Sequence, residues 1–191
     1  MAASDTLALG ARLLPLLARP ARYWNLGVAG RTQAQCFATR AAREGALVEP
    51  GKLNLALVDA GINDLGAGAG GADLYAGRTR PYLAALRAMG FRVGLATLLP
   101  QTSGNYPTDN ATIERERLAY NAAVRADAGG ADFLVDRAAD PVMGRYPDSC
   151  ADATLYSASV GGAGLHPTTL GYAHLAPVYA AAINAALAWS N

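Results

Sequence analysis

At 191 residues the chain is long enough for one well-buried domain, and we expect a single domain over residues 1–191. Hydrophobic residues make up 52% of the chain and charged residues 16%, a composition that supplies a large core and argues against disorder. The net charge of +1, without a basic run or an acidic tail, argues against nucleic acid or a membrane surface as the partner.

Two further features bear on the compartment and on metal binding. The apolar run Leu13–Ala18 is short for a secretory core, and no stretch approaches the roughly 20 apolar residues that span a bilayer. Cys36 and Cys150 lack the CxxC spacing of a metal site, so we expect two free thiols, with pairing in an oxidising compartment as the alternative. These features favour a cytoplasmic protein, or a secreted one if the true N-terminus lies upstream.

Short apolar runs alternate with longer helical patterns along the chain. This alternation predicts a parallel sheet with right-handed crossovers, in which Asp109 caps one helix and Gly90 and Gly129 stop two others. The predicted strands are Tyr23–Val28, Leu53–Ala60, Phe91–Leu99 and Ala131–Asp136. The predicted helices are Thr32–Glu44, Asp73–Met89, Asp109–Ala128 and Pro167–Trp189.

Polar residues in the loops after the strands are the candidates for function, because ligands bind beyond the carboxyl ends of parallel strands. Gly30, in NLGVAGRT, either permits a tight turn or directs its N–H at an anion. Asn63, in DAGINDLGAG, either forms a turn or donates a hydrogen bond to a developing oxyanion. His166 is either a catalytic base or a cap of the last helix, where Thr168 and Thr169 satisfy the first turn.

The segments NLGVAGRT, GIND and LHPTTLGY, in this order, resemble conserved blocks of the SGNH/GDSL hydrolase family of esterases, lipases and acyl hydrolases. The resemblance runs over nearly the whole chain and implies an α/β/α sandwich with a flavodoxin-like parallel sheet of about five strands. It implies that Gly30 and Asn63 line the oxyanion hole and that His166 is the general base. In such a site a hydroxyl attacks an acyl carbonyl while the imidazole takes its proton, and no metal or other cofactor takes part.

The last block departs from the family at the residue that orients the base. Ala163 stands three residues before His166, where the family has an Asp that orients the imidazole and stabilises its charged form. Asp148 and Asp152 lie upstream and are the candidate replacements.

The nucleophile block departs further, and three alignments are open. Ser4–Leu7 placed on Gly-Asp-Ser-Leu puts Thr6 at the nucleophile, whereas TLALG taken as a strand with its Gly puts Arg12 there. In the third alignment TLALG is the strand, the Asp-Ser-Leu segment is missing, and ARLLPLLARP is the next helix. Thr6 is the one hydroxyl that these alignments offer.

Three hypotheses for function follow. The chain is an ester hydrolase with an unusual nucleophile, an inactive relative that binds an acyl or glycan ligand in the same cleft, or a structural domain. The expected substrate is a small-molecule ester with a short acyl group, because the loops Gly66–Ala72 and Gln101–Asp109 are not strongly apolar.

Overall fold

Three parallel strands form the sheet, in the order β1–β2–β3. The computed structural model describes residues 9–127, 129–158 and 163–188. Strand β1 is Leu55–Val58, β2 is Arg92–Ala96 and β3 is Phe133–Val135, so each lies inside a predicted apolar run. Leu55 pairs with Arg92 and Gly94 with Phe133. The predicted parallel sheet is therefore confirmed, with two crossovers that each pass through helices.

Helices cover both faces of the sheet, which gives three layers. Val93 and Leu95 of β2 pack in one buried cluster with Leu83 and Ile113, whereas Ala96 packs in a second cluster on the opposite face. This alternation follows from the two-residue period of a strand. The helices are α1 (Gln33–Phe37), α2 (Arg40–Arg43), α3 (Ile62–Gly66), α4 (Gly71–Leu74), α5 (Arg80–Ala88), α6 (Asn110–Ala126), α7 (Asp148–Ala151) and α8 (Thr169–Ala188).

The predicted helices are present, with internal breaks. Thr32 begins α1 with a capping box, but the helix predicted over Thr32–Glu44 divides into α1 and α2. The π-helical turn Tyr75–Thr79 joins α4 to α5, and Gly90 stops α5 with a φ of +100°. Asp109 caps α6 through a hydrogen bond from the Thr112 N–H to its carboxylate (2.9 Å).

One predicted strand is wrong, and the described end of a second one is helical. Tyr23–Val28 has no regular structure, and the Asn25 side chain accepts a hydrogen bond from Gly27 N (2.9 Å), a local bond that competes with strand pairing. Residues 9–13 are helical, so Leu9 and Gly10 do not form the end of the strand expected over Thr6–Gly10, whose first three residues lie outside the described residues; Leu9 and Leu13 are buried at helical spacing. The described part of the chain accordingly has three strands, fewer than the expected five or so.

The structure also shows the state of the two cysteines and the length of the apolar helices. Cys36 is half-buried, Cys150 is buried, and both are free. Within the described residues, no helix is both long enough and apolar enough to cross a membrane.

Candidate active site

One buried arginine ties together the three chain segments that leave the sheet. Arg137, directly after β3, donates to the Thr97 carbonyl (2.7 Å) after β2 and forms a bidentate pair with Asp59 after β1. Its Nη1 also donates to the hydroxyl of Tyr179 on α8 (2.9 Å), which in turn donates to Asp59 (3.1 Å). This cluster fixes the carboxyl edge of the sheet, from which the turn that carries Asn63 departs.

The charge state of this cluster is set by its own members. Burial favours the neutral form of Arg137 and is the largest single effect, but the adjacent Asp59 carboxylate and the surrounding tyrosines together outweigh it and hold the pKa of Arg137 above its ordinary value. Burial raises the pKa of Tyr179 well above its ordinary value, so the phenol stays neutral. The cluster is a fixed charge pair, and all of its charged groups have partners.

Asn63 lies in the first turn of α3, four residues after the carboxyl edge begins at Asp59. Its side-chain Nδ2 donates to the carbonyl of Arg31 (2.9 Å), and its Oδ1 accepts from the hydroxyl of Tyr106 (2.7 Å). An Asn amide carries two N–H donors. Across the part of the chain that the structure describes, the second N–H of Asn63 has no protein acceptor.

A buried network beneath Asn63 holds this turn in place. The Asp64 carboxylate, fully buried, accepts from Gln33 N (2.9 Å) at the start of α1 and from Arg78 Nη1 (2.9 Å). The Gln33 side chain donates to the Ala60 carbonyl (2.9 Å) and accepts from the Thr79 hydroxyl (2.9 Å). These bonds join the turn before α1 to the turn after β1.

Gly30 lies in the turn that the Asn63 amide contacts. Arg31 N donates to the Val28 carbonyl (3.3 Å), and Gly30 has a φ of +74°, a backbone conformation that L side chains rarely adopt. Nothing lies within 4 Å of the position of a Cβ on Gly30. Among the described residues no atom accepts a hydrogen bond from its N–H. The turn therefore presents an uncommitted N–H one residue from the carbonyl that holds Asn63.

His166 lies on a short antiparallel ribbon before α8. Its carbonyl accepts from Ser157 N (2.7 Å), Tyr156 pairs with Pro167, and the side chain of His166 is exposed. The cap of α8 is Thr168, whose Oγ1 accepts from Gly171 N (3.1 Å). His166 is therefore not needed as the helix cap, because the residue two positions later performs that role.

The loop after β2 connects the Asn63 turn to the His166 ribbon. Thr102 N donates to the Gly164 carbonyl (3.2 Å), two residues before His166, while Tyr106 of the same loop bonds to Asn63. The structure thus brings Gly30 and Asn63 together through Arg31 and links His166 to them through this loop.

The remaining candidate residues are placed as follows. Thr6 lies outside the described residues. Ala163 is exposed and offers a methyl group where a carboxylate would orient the histidine. The Asp152 carboxylate accepts from the hydroxyl (2.6 Å) and backbone N–H (2.8 Å) of Thr154, and these bonds hold the pKa of Asp152 below its usual range. Asp148 is exposed at the first residue of α7.

Comparison with protein families decides the relationship of this chain to known proteins. The chain matches the model of the GDSL-like Lipase/Acylhydrolase family over residues 5–174. The chain belongs to this family. Comparisons with curated proteins and with solved structures found no match. Membership of the GDSL-like family makes the chain a member of a hydrolase superfamily that acts on small-molecule esters, and the matched span includes Gly30, Asn63 and His166.

Sequence reasoning missed the polar groups that support the site. A signal for the arginine cluster was present, because Asp59 interrupts an apolar run and Arg137 follows Val135-Asp136 at the end of another. Both residues lie where a buried strand ends, which is where a charged pair can join neighbouring strands. Gln33, Asp64 and Tyr106 carry no comparable signal, since their partners come from segments far apart in the chain.

Proposed function

We propose that this GDSL-like protein hydrolyses small acyl or acetyl esters. His166 is the general base, and the N–H groups of Gly30 and Asn63 receive the oxyanion. The observation that carries the proposal is the juxtaposition of two N–H donors without protein acceptors among the described residues, on Gly30 and on Asn63, joined by the Arg31 carbonyl.

The chemistry that these residues support is acyl transfer to a hydroxyl and then to water. The hydroxyl oxygen bonds to the acyl carbon as its proton passes to the imidazole, and the carbonyl oxygen becomes an oxyanion. Preorganised N–H donors lower this barrier, because they are already in place when the charge develops. The bond between the acyl carbon and the alcohol oxygen breaks, and the imidazolium gives its proton to the leaving alcohol. Water then attacks the acyl-enzyme while the imidazole takes its proton, the bond to the enzyme hydroxyl breaks, and that hydroxyl regains a proton as the acid is released.

For the hydroxyl we propose Thr6, and two observations favour the alignment that places it there. The family match begins at Asp5, the residue before Thr6. The helix over residues 9–13 disfavours the alignments that needed a strand through Gly10. A threonine is a hindered nucleophile because its Cβ is branched, so we expect slower turnover than a serine gives.

Turnover of aryl esters tests the proposal. We expect slow release of p-nitrophenol from the acetyl ester and slower release from the octanoyl ester, since the loops around the site are polar. Thr6→Ala and His166→Ala should each remove the activity, while Thr39→Ala, on a hydroxyl that donates to the Cys36 carbonyl in the link between α1 and α2, should keep it. If each single variant, Thr6→Ala and His166→Ala, keeps its turnover, the proposed roles of Thr6 as nucleophile and His166 as general base are contradicted.

A second function is favoured by one specific residue, Ala163. Without a carboxylate at this position, and with Asp152 already bonded to Thr154, the chain fits an inactive relative that binds an acyl or glycan ligand in the same cleft. The two functions separate in one experiment. Acetate or butyrate is added and the Asn63 side-chain amide signals are followed by NMR. If these signals shift in a protein without detectable turnover, the ligand-binding function is favoured.

A further inference from the structure

The Asn63 amide is held at both of its ends. Its nitrogen end donates to the Arg31 carbonyl, and its oxygen end accepts from the hydroxyl of Tyr106 (2.7 Å). The terminal torsion of an Asn side chain is broad, so one hydrogen bond leaves the amide plane free to rock. The second contact fixes the plane and therefore the direction of the remaining N–H.

Tyr106 is itself firmly placed. A Cβ on Gly66 would lie 2.1 Å from Cδ1 of the Tyr106 ring, so the ring packs directly on the backbone of α3. Thr108 N donates to the Gly66 carbonyl (3.3 Å) and ties the loop to the same residue. Burial raises the pKa of Tyr106, so its hydroxyl stays protonated and able to donate at any pH suited to ester hydrolysis.

We propose that Tyr106 is a positioning residue, which orients and polarises the Asn63 amide so that the second N–H of that amide donates to a bound oxyanion. A hydrogen bond to an amide oxygen strengthens the N–H groups of the same amide as donors. The donation to an oxyanion rests on the proposed function, whereas the orientation of the Asn63 amide by Tyr106 does not.

The decisive variant is Tyr106→Phe, which removes the hydroxyl and keeps the ring. In NMR spectra the two Asn63 side-chain amide protons should change shift and exchange faster with water. Tyr75→Phe is the matched control, because the Tyr75 hydroxyl also bonds to a side-chain oxygen, that of Asp127 (3.1 Å), at the opposite edge of the sheet. Unchanged Asn63 signals in Tyr106→Phe overturn the proposal.

Kinetics provide the second measurement. Tyr106→Phe should lower kcat about two- to tenfold, the effect of one neutral hydrogen bond, with KM unchanged. In an Asn63→Ala background the same substitution should have no further effect, since the group it positions is gone. A full additional loss of kcat in that background shows a general structural role and overturns the proposal.

A third variant moves the ring without removing the hydroxyl. Gly66→Ala places a methyl group against the Tyr106 ring and should change the Asn63 amide signals as Tyr106→Phe does. Shifted Asn63 signals in both variants, with no ester turnover in the parent protein, support the positioning role and refute the hydrolase. Asn63 signals that move in neither variant refute the positioning role whatever the turnover.

Discussion

The two sides of the candidate site are built differently. We call Gly30, Asn63 and Asp64 the oxyanion side, and Ala163, His166 and Thr168 the base side. The oxyanion side is held by side chains from four segments, among them the fully buried carboxylate of Asp64. The base side is held by the backbone bonds of a short ribbon and by the Thr168 hydroxyl, and Ala163 stands where the family has a carboxylate.

The two sides therefore differ in how firmly their proposed catalytic groups are held before a reaction begins. Donors that are fixed before the reaction cost no reorganisation when charge develops, so the oxyanion side is ready to act. On the base side, Ala163 cannot supply the carboxylate that in the family orients the imidazole and stabilises its positive charge. We therefore expect slow chemistry that is limited by proton transfer at His166, with the binding of the oxyanion intact.

Of the changes that compare the two sides, the largest expected effect is on turnover, when the oxyanion side loses the Asn63 donor. Asn63→Ala should lower kcat about 10²- to 10³-fold, the loss measured for one oxyanion donor in a well-studied protease. Asn105→Ala, on the exposed part of the loop after β2, is the control and should leave kcat unchanged. An equal loss in both variants means that the loop has been disturbed and that Asn63 has no special role.

The next effect is on stability, at the carboxylate beneath the oxyanion side. Asp64→Ala leaves the Gln33 N–H buried without its acceptor and should lower the free energy of unfolding by about 1–3 kcal/mol. Arg78 adds little to this loss, because its side chain is 49% exposed and turns to water. Urea denaturation measures the change, with the exposed Asp73→Ala as control. A loss no larger than that of the control contradicts the network.

A smaller effect separates the cap of α8 from the base. Thr168→Ala should cost about 1 kcal/mol of stability, because the Gly171 N–H loses its acceptor. His166→Ala should cost less than Thr168→Ala, because His166 precedes α8 and the cap of that helix is Thr168. The same urea experiment measures both, and the reverse order of losses restores His166 as the helix cap.

The sequence predicted the strands and helix ends well, but it did not predict the polar side chains that hydrogen-bond around the site. The strands β1, β2 and β3 are dense apolar runs, and Asp109 and Gly90 mark helix ends by local chemistry, so each could be found from neighbours in the chain. Tyr23–Val28 has the composition of a strand, but its Asn25 turn and its exposure override that composition.

The supporting groups of the site could not be found in this way. Tyr106 reaches Asn63 across 43 positions of the chain, and Gln33 reaches Thr79 across 46. Such pairs depend on how the loops pack, which a single sequence does not reveal. The family resemblance pointed to Gly30, Asn63 and His166 but carries no information on the residues that hold them.

The central claim is that the base side lacks one carboxylate, and a titration tests it most directly. The chain has two histidines, His166 and His174, so NMR can follow both rings in the parent protein and in Ala163→Asp. A carboxylate beside the ring favours the imidazolium, so we expect Ala163→Asp to raise the pKa of His166. The ring signals of His174, which lies on α8 and bonds to Asp140 (3.1 Å), serve as the internal reference for changes that are not local to His166. An unchanged pKa of His166 would contradict the account, because position 163 would then not face the ring that it is supposed to orient.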